Sequence, residues 1–191
     1  MTGNPWTRVA SSLKYATPWF SVREDEVIRP DGEVGTYSVV SVGRLAVGVL
    51  PLWSDGSLTL VGQFRYPVDE YSWEIPEGGG DFEDDPLDTA RRELREETGL
   101  EASGWNYLGR VHTSNCFLDE VCHLYLATGL TQGVAAPGPD EVLQTWRVPF
   151  RKAVAMAVDG RITDAISIAA IFRLLQRAPR LATPARQAAR R

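Results

Sequence analysis

At 191 residues, 43% of them hydrophobic, the chain is large enough for one well-buried core and cramped for two. Its net charge of −5 gives no global basic field for nucleic acid or an anionic membrane, so an anionic ligand must be met by local arginines or by metal. The opening residues MTGNPWTRVA lack the regions of a signal peptide and no apolar run approaches membrane-spanning length, so no membrane association is expected and the expected compartment is the cytoplasm.

In chain order, WFSVREDEVI, a turn at Arg29-Pro-Asp-Gly32 and VGTYSVVSV predict an N-terminal β-hairpin over about 19–42. LAVGVLPLW and LTLVGQFRYP flank Ser54-Asp-Gly-Ser57, a second hairpin signal, and their near-continuous apolar character predicts central strands covered on both faces. A short extended piece, YSWEIPEGGG, leads to a helix with Asp85 as N-cap, Pro86 at the first helical position, Asp88 in the first turn and Gly99 at the end. WNYLGRVHTS, EVCHLYLATGL and VLQTWRVPF read as strands, with the Gly- and Pro-rich loop TQGVAAPGPDE before the last of them. Two helices follow, about 150–158 and 164–176, the second capped by Thr163 or Asp164. The end, APRLATPARQAARR, has no apolar period and is expected to be a mobile basic tail over 178–191, leaving 1–177 as a single domain. Strands around one central helix with two helices at the end predict the α/β class, a mixed sheet sandwiched between helices.

The central helix carries an unusual charge distribution. With Leu87 at zero and about 100° per residue, Leu87, Ala90 and Leu94 fall within roughly 60° and must face the core. Glu97, Glu93 and Glu96 lie together on one flank, at about 280°, 240° and 180°, and Arg91, Arg92 and Arg95 on the other. Glu93 and Glu97 are a like-charged i,i+4 pair, which by itself is unfavourable. Either this is a surface cluster partly neutralised by the arginines, or a hard divalent cation neutralises it, since such ions take carboxylate oxygens. Arg92, at i,i+4 from Asp88 and from Glu96, is placed to orient carboxylates. Cys116, Cys122, His112 and His123 match no common zinc spacing, and Cys122 and His123, being adjacent on a strand, would point to opposite faces, so packing is expected there.

Gly78, five residues, Asp84, seven residues, Arg92-Glu93-Leu94, one residue, Glu96-Glu97, one residue and Gly99-Leu100 form one pattern. It closely resembles the signature of the Nudix hydrolases, GX5EX7REUXEEXGU with U aliphatic. The hairpin, GQFRYP, WEIPEGGGD and GRITDAISIAAI are similar to the ADP-ribose and nucleotide-sugar pyrophosphatase branch. The departure is Asp84, with Glu83 beside it, where the family has Glu; a shorter side chain there is expected to loosen the support of the metal ligands.

The resemblance implies a Nudix-type α/β/α sandwich that hydrolyses the pyrophosphate of ADP-ribose or a related nucleoside diphosphate derivative with Mg²⁺, or Mn²⁺, as cofactor. It implies Glu93, Glu97 and Glu96 as metal ligands together with the backbone carbonyl of Glu77. It places Arg65 on the diphosphate or a ribose phosphate, against the plain reading of a surface strand arginine. Trp73 and Glu74 either line the pocket or form a packed tryptophan and an ion-paired glutamate. Glu141 is the implied general base with Asp140 second, and Glu96 or Glu97 takes that part in other branches. Trp19, Phe20, Tyr66 and Trp73 are the aromatic candidates for stacking a base. A homodimer is implied, the hairpin crossing to a partner and offering Phe20 or Trp19 to its pocket. Two alternatives stand beside this: a hydrolase of nucleoside triphosphates or capped RNA, and a non-catalytic nucleotide-sensing module.

Overall fold

The computed structural model of the protein describes residues 3–139 and 141–178. Strands β1 (Thr7–Ala16), β2 (Ser21–Ile28) and β3 (Val34–Ser41) form one antiparallel sheet. The expected hairpin is thus β2–β3, and β1 is an addition to it. The sequence did carry a signal for β1, because Val9, Leu13 and Tyr15 recur at even spacing between polar residues. What it lacks is a buried face: every residue of β1 is exposed.

Strands β4 (Leu45–Pro51), β5 (Ser57–Arg65), β6 (Glu70–Glu74) and β7 (Glu77–Gly80) precede helix α1 (Pro86–Thr98). Strands β8 (Leu100–Val111), β9 (Cys122–Gln132) and β10 (Gln144–Pro149) and helices α2 (Phe150–Val158) and α3 (Ala165–Arg177) follow. The hairpin expected across Ser54–Ser57 does not form as a ladder. Asp55 and Gly56 do turn the chain, with Gly56 at φ 80° and the Trp53 N–H donating to the Ser57 carbonyl at 2.9 Å. Beyond the single bridge Leu52–Leu58, however, β4 and β5 enter different sheets. One has the order β7-β4-β9-β8 and the other β10-β5-β6. Both strands are apolar enough to be covered twice, so each takes its partners from elsewhere in the chain.

The four-stranded sheet is mixed: β4 runs parallel to β9, while β4–β7 and β8–β9 are antiparallel. One face packs on α1 through Val47, Val49, Ala90, Leu94, Leu100 and Ala127. The other face joins β5, β10, α2 and α3 in a larger core around Leu50, Leu60, Leu124, Phe150 and Ile171. The expected α/β sandwich with a mixed sheet is therefore what the chain builds. Cys122 is buried in that larger core, whereas its neighbour His123 lies beside the Tyr107 ring, with 5.9 Å between ring centroids, as alternation along a strand requires. Cys116 is exposed. Among the described residues no helix is long and apolar enough to cross a membrane. The basic tail expected at 178–191 lies, apart from Ala178, outside the described residues.

Helix α1 is fixed by the local signals already noted. The Asp85 carboxylate accepts the Leu87 N–H at 2.7 Å, and Gly99 at φ 71° donates its N–H to the Arg95 carbonyl. Ala90 and Leu94 are fully buried, which sets the rotation of the helix and carries Glu93 and Glu97 to the edge of the sheet beside β7.

Candidate active site

The glycine strand β7 pairs with β4, placing Gly78 opposite Val47 and Glu77 opposite Gly48. Glu93 reaches across α1 onto this strand. A β-carbon on Gly78 would stand 2.3 Å from the Glu93 carboxyl carbon, so any larger residue there would push the carboxylate from this place. Glu97 lies one turn further on and accepts the backbone N–H of Glu77 at 3.2 Å. Both glutamates are buried, and Glu96 is partly exposed.

Arg92 ties these groups together. Its Nη2 donates to Glu93 Oε1 and to the Gly79 carbonyl, each at 2.7 Å, and its Nη1 donates to Glu96 Oε2 at 2.7 Å. Asp88 pairs instead with Arg91, so Arg92 orients Glu93 and Glu96 rather than Asp88 and Glu96. Asp84 accepts the Asp81 N–H at 3.0 Å, closing the turn between β7 and α1. The shorter acid there holds the turn and does not reach the glutamates through any hydrogen bond of its own among the described residues.

Arg65, at the end of β5, is held by Glu74 Oε2 and by Glu77 Oε1, the latter at 2.8 Å. Glu74 is therefore the ion-paired glutamate of the two readings. Trp73, its neighbour on β6, packs on Trp146 and Tyr71 with ring centroids 5.0 and 5.6 Å away. Asp164 caps α3 by accepting the Ser167 N–H at 2.6 Å, and Ser167 in turn accepts the Ile75 N–H at 2.8 Å, fixing the path from β6 into β7.

Negative charge is in excess here. Burial, then the Glu93 charge, push the Glu97 carboxyl up to about 8, against the Glu77 N–H, and Glu141 adds to the rise. Burial raises Glu93 despite Arg92, with Glu96 and Glu141 raising it further. Burial, then Asp164 and Glu74, raise Glu77 well above the usual carboxylate range, and its Oε2 is buried without a hydrogen-bond partner. Glu74 goes the other way, since the Arg65 hydrogen bond and charge outweigh its burial. Glu93 and Glu97, buried beside one another and raised by each other's or a neighbour's charge, are the kind of donors a hard divalent cation takes, and its charge would supply what Arg92 does not.

Beside the glycine strand opens a cavity of about 310 Å³, at the lower end of the range for small-molecule sites. Arg65, Glu77, Gly78 and Gly79 line it together with Trp19, Arg44 and Glu120. Arg44 sits 5.3 Å from the centroid of the Trp19 ring. Thr113 donates to Glu120 at 2.7 Å. Phe20 leans on Tyr15 within the N-terminal sheet, with centroids 5.9 Å apart, and Tyr66 is almost fully exposed. That sheet is seated on the loop between β8 and β9 by the Val40 N–H, which donates to the Phe117 carbonyl at 2.7 Å, and by Tyr37 OH, which donates to the Cys116 carbonyl at 2.5 Å. Arg44 and Glu120 were not singled out from sequence; the only hint was Gly43, at φ 62°, which turns the chain just before β4. Glu141 is exposed on the loop between β9 and β10, its Oε2 accepting the Gly138 N–H at 2.8 Å. Asp140 lies outside the described residues.

The NUDIX domain model matches residues 42–168, which spans β4 to the start of α3 and includes every glutamate just described. The chain belongs to the NUDIX domain family. It is a Nudix hydrolase, and members of this family generally work with divalent metal ions. A second model, the nucleoside diphosphate sugar hydrolase N-terminal domain, matches residues 6–40, the three-stranded sheet. The ADP-ribose pyrophosphatase of Mycobacterium tuberculosis is 33% identical over 176 residues, 90% of this chain and 84% of that protein. The ADP-ribose pyrophosphatase of Bacillus subtilis is 31% identical over 149 residues, 77% of this chain and 80% of that protein. Among solved structures, an ADP compounds hydrolase superposes with a TM-score of 0.82 at 19% identity, covering 94% of this chain and 97% of that one, a likeness of fold.

Proposed function

We propose that residues 1–177 act as one domain that hydrolyses ADP-ribose or a related nucleoside diphosphate sugar to a nucleoside monophosphate and a sugar phosphate. The observation that carries this reading is the cavity itself. It brings together Arg65, the glycine strand that cradles the buried glutamates, and Trp19 backed by the Arg44 guanidinium. The relatives named for ADP-ribose and the matching N-terminal domain support the substrate class.

In this reading Glu93, Glu97, Glu96 and the Glu77 carbonyl hold Mg²⁺, with Mn²⁺ as the substitute. When bound, the metal screens the diphosphate and favours attack by water on phosphorus. Arg92 keeps Glu93 and Glu96 aimed at the glycine strand. Arg65 faces the diphosphate while Glu74 and Glu77 hold its guanidinium in place. Trp19 offers its ring to the base, with Phe20 next to it on the same loop. Glu141 takes the proton of the attacking water, the bridging P–O bond breaks, and the leaving phosphate departs with the sugar.

Phosphorus NMR with Mg²⁺ and, in separate samples, ADP-ribose, ADP-glucose, GDP-mannose, a deoxynucleoside triphosphate and a capped dinucleotide tests the substrate class. Cleavage of a diphosphate sugar well ahead of the last two is expected; the reverse order would move the enzyme to another branch. Binding without cleavage of any of them would turn the reading toward a sensing module.

The same reading makes the protein a cytoplasmic homodimer. Tyr15 and Val34, opposite Val22 and Ile28 of β2, are exposed on the same face of the N-terminal sheet, which a second copy would cover. Light scattering at micromolar concentration is expected to give twice the chain mass, and a monomer there would remove the dimer from the proposal.

A further inference from the structure

Helix α1 ends with carbonyls that have no partner inside the helix. In this chain the last residue of β9 and the loop that follows it take them up. The Gln132 side-chain Nε2 donates to the Thr98 carbonyl and to the Gly133 carbonyl, both at 3.0 Å. The Gly133 N–H donates to the Gly99 carbonyl at 2.8 Å, and the Ala136 N–H donates to the Glu96 carbonyl at 2.9 Å. Both partners of the Gln132 amide are carbonyls, so its nitrogen is the end that faces them.

The loop lies close against the helix end. A β-carbon on Gly99 would stand 2.6 Å from the Ala135 nitrogen and 2.8 Å from the Val134 carbonyl carbon. The glycine that ends α1 is thus needed twice, for its positive φ and for the loop that crosses over it. Burial does not hold this segment. Gln132 to Pro139 are all exposed, Val134 included, as is Val142 beyond them, and the sequence GVAAPGP offers no side chain to anchor it. Its start is held by the pairing of Gln132 with Leu100 at the end of the β8–β9 ladder, and beyond that its place is set by the hydrogen bonds to α1; a few residues later it delivers Glu141, whose carboxylate accepts the Gly138 N–H of the same loop.

We infer that Gln132 is a positioning residue: by strapping the loop to the end of α1, it fixes Glu141 relative to the glutamates on that helix. Helix and loop are then one unit, so that base and metal ligands keep their mutual geometry whenever either moves. This rests on Glu141 being the general base. Gln132 touches no substrate, and its loss is felt in turnover rather than in binding.

The test is a double-mutant cycle on the full chain with Mg²⁺ and ADP-ribose. Gln132→Met keeps the size of the side chain and removes its donors, and a melting curve checks that the exposed substitution leaves the fold intact. It is expected to lower kcat about tenfold with KM within about twofold, the effect of losing one hydrogen bond to the helix and one within the loop. In a Glu141→Gln background the same change is expected to do nothing further, because the group it positions is gone. Ala136→Pro, which removes the other donor to α1 outside the glycines, is expected to behave in the same way.

An equal loss in both backgrounds would show a structural role and overturn the inference, as would an unchanged kcat or a change confined to KM. A Glu141→Gln enzyme with full turnover would remove the base itself and the inference with it. A slow Glu141→Gln enzyme beside an unaffected Gln132→Met enzyme would overturn the strap alone.

Discussion

Replacing Glu97 by glutamine is expected to make the metal-free protein more stable above pH 7 while cutting turnover by on the order of a hundredfold or more. The folded-state pKa of this carboxyl, about 8, lies above its ordinary value of 4.5, so folding takes up a proton between those limits. The stability this group contributes is complete below pH 4.5 and is lost as pH rises toward 8. At pH 7 the loss is on the order of 3 kcal/mol, since each pH unit inside the window costs about 1.4 kcal/mol. Glutamine resembles the protonated acid and cannot ionise, so it avoids that loss. In EDTA the variant is expected to melt about 5–10 °C above the wild type at pH 8 and together with it at pH 5. Mg²⁺ should raise the melting temperature of the wild type at pH 8, by about 2.7 kcal/mol of stabilisation at a hundred times its Kd, and leave the variant nearly unmoved. A variant that melts lower than the wild type at pH 8, or that responds equally to Mg²⁺, would show that Glu97 is a structural acid and not part of a cation site. The expected exchange of stability for activity is the mark of a site built from groups that repel one another until their ligand arrives.

What could be read from the sequence divides along the same line as local and distant physics. Helix α1 was readable to the residue, because Asp85, Pro86, Ala90, Leu94 and Gly99 act within one or two turns of one another. The flank of glutamates was readable for the same reason, and so was the need to neutralise it. The partner of β4 was not. Its apolar run fits any position covered on both faces, and the turn at Asp55-Gly56 bends the chain without deciding which sheet each arm joins. Strand β1 alternates but buries nothing, so its pattern is weak. Arg44 and Glu120 face the cavity because β3 and the loop before β9 come together over 70 residues apart in sequence, as the Tyr37 to Cys116 and Ser41 to Asp119 hydrogen bonds show. For Trp73 and Glu74 the two readings from sequence were opposed, and strand alternation assigns one residue to each side: Glu74 to Arg65 and Trp73 to the aromatic packing.

The change of Glu141 to glutamine separates the two assignments of the base. If Glu141 takes the proton of the attacking water, the variant is expected to lose between about 10² and 10⁴ in kcat with KM within about twofold. The amide keeps the shape of the side chain and its place on the loop, so substrate binding and the fold have no reason to change. A second effect follows from the charge alone. Glu141 is among the groups that raise Glu97 and Glu93, so removing its charge lets both ionise more easily. The pH window over which the metal-free protein loses stability should then end lower, and the variant should be more stable than the wild type near pH 8. The competing assignment gives the base to Glu96, which Arg92 already engages through Nη1. Glu96 stands on the helix beside Glu93, tied to it through the same guanidinium, whereas Glu141 comes from a separate loop and is held by the Gly138 N–H. Measured side by side, Glu96→Gln is therefore expected to act on Mg²⁺ dependence and to be relieved by raised metal, whereas Glu141→Gln stays slow at any Mg²⁺ concentration. Were the pattern reversed, with Glu141→Gln rescued by metal and Glu96→Gln not, the loop carboxylate would be a metal ligand and the helix would hold the base.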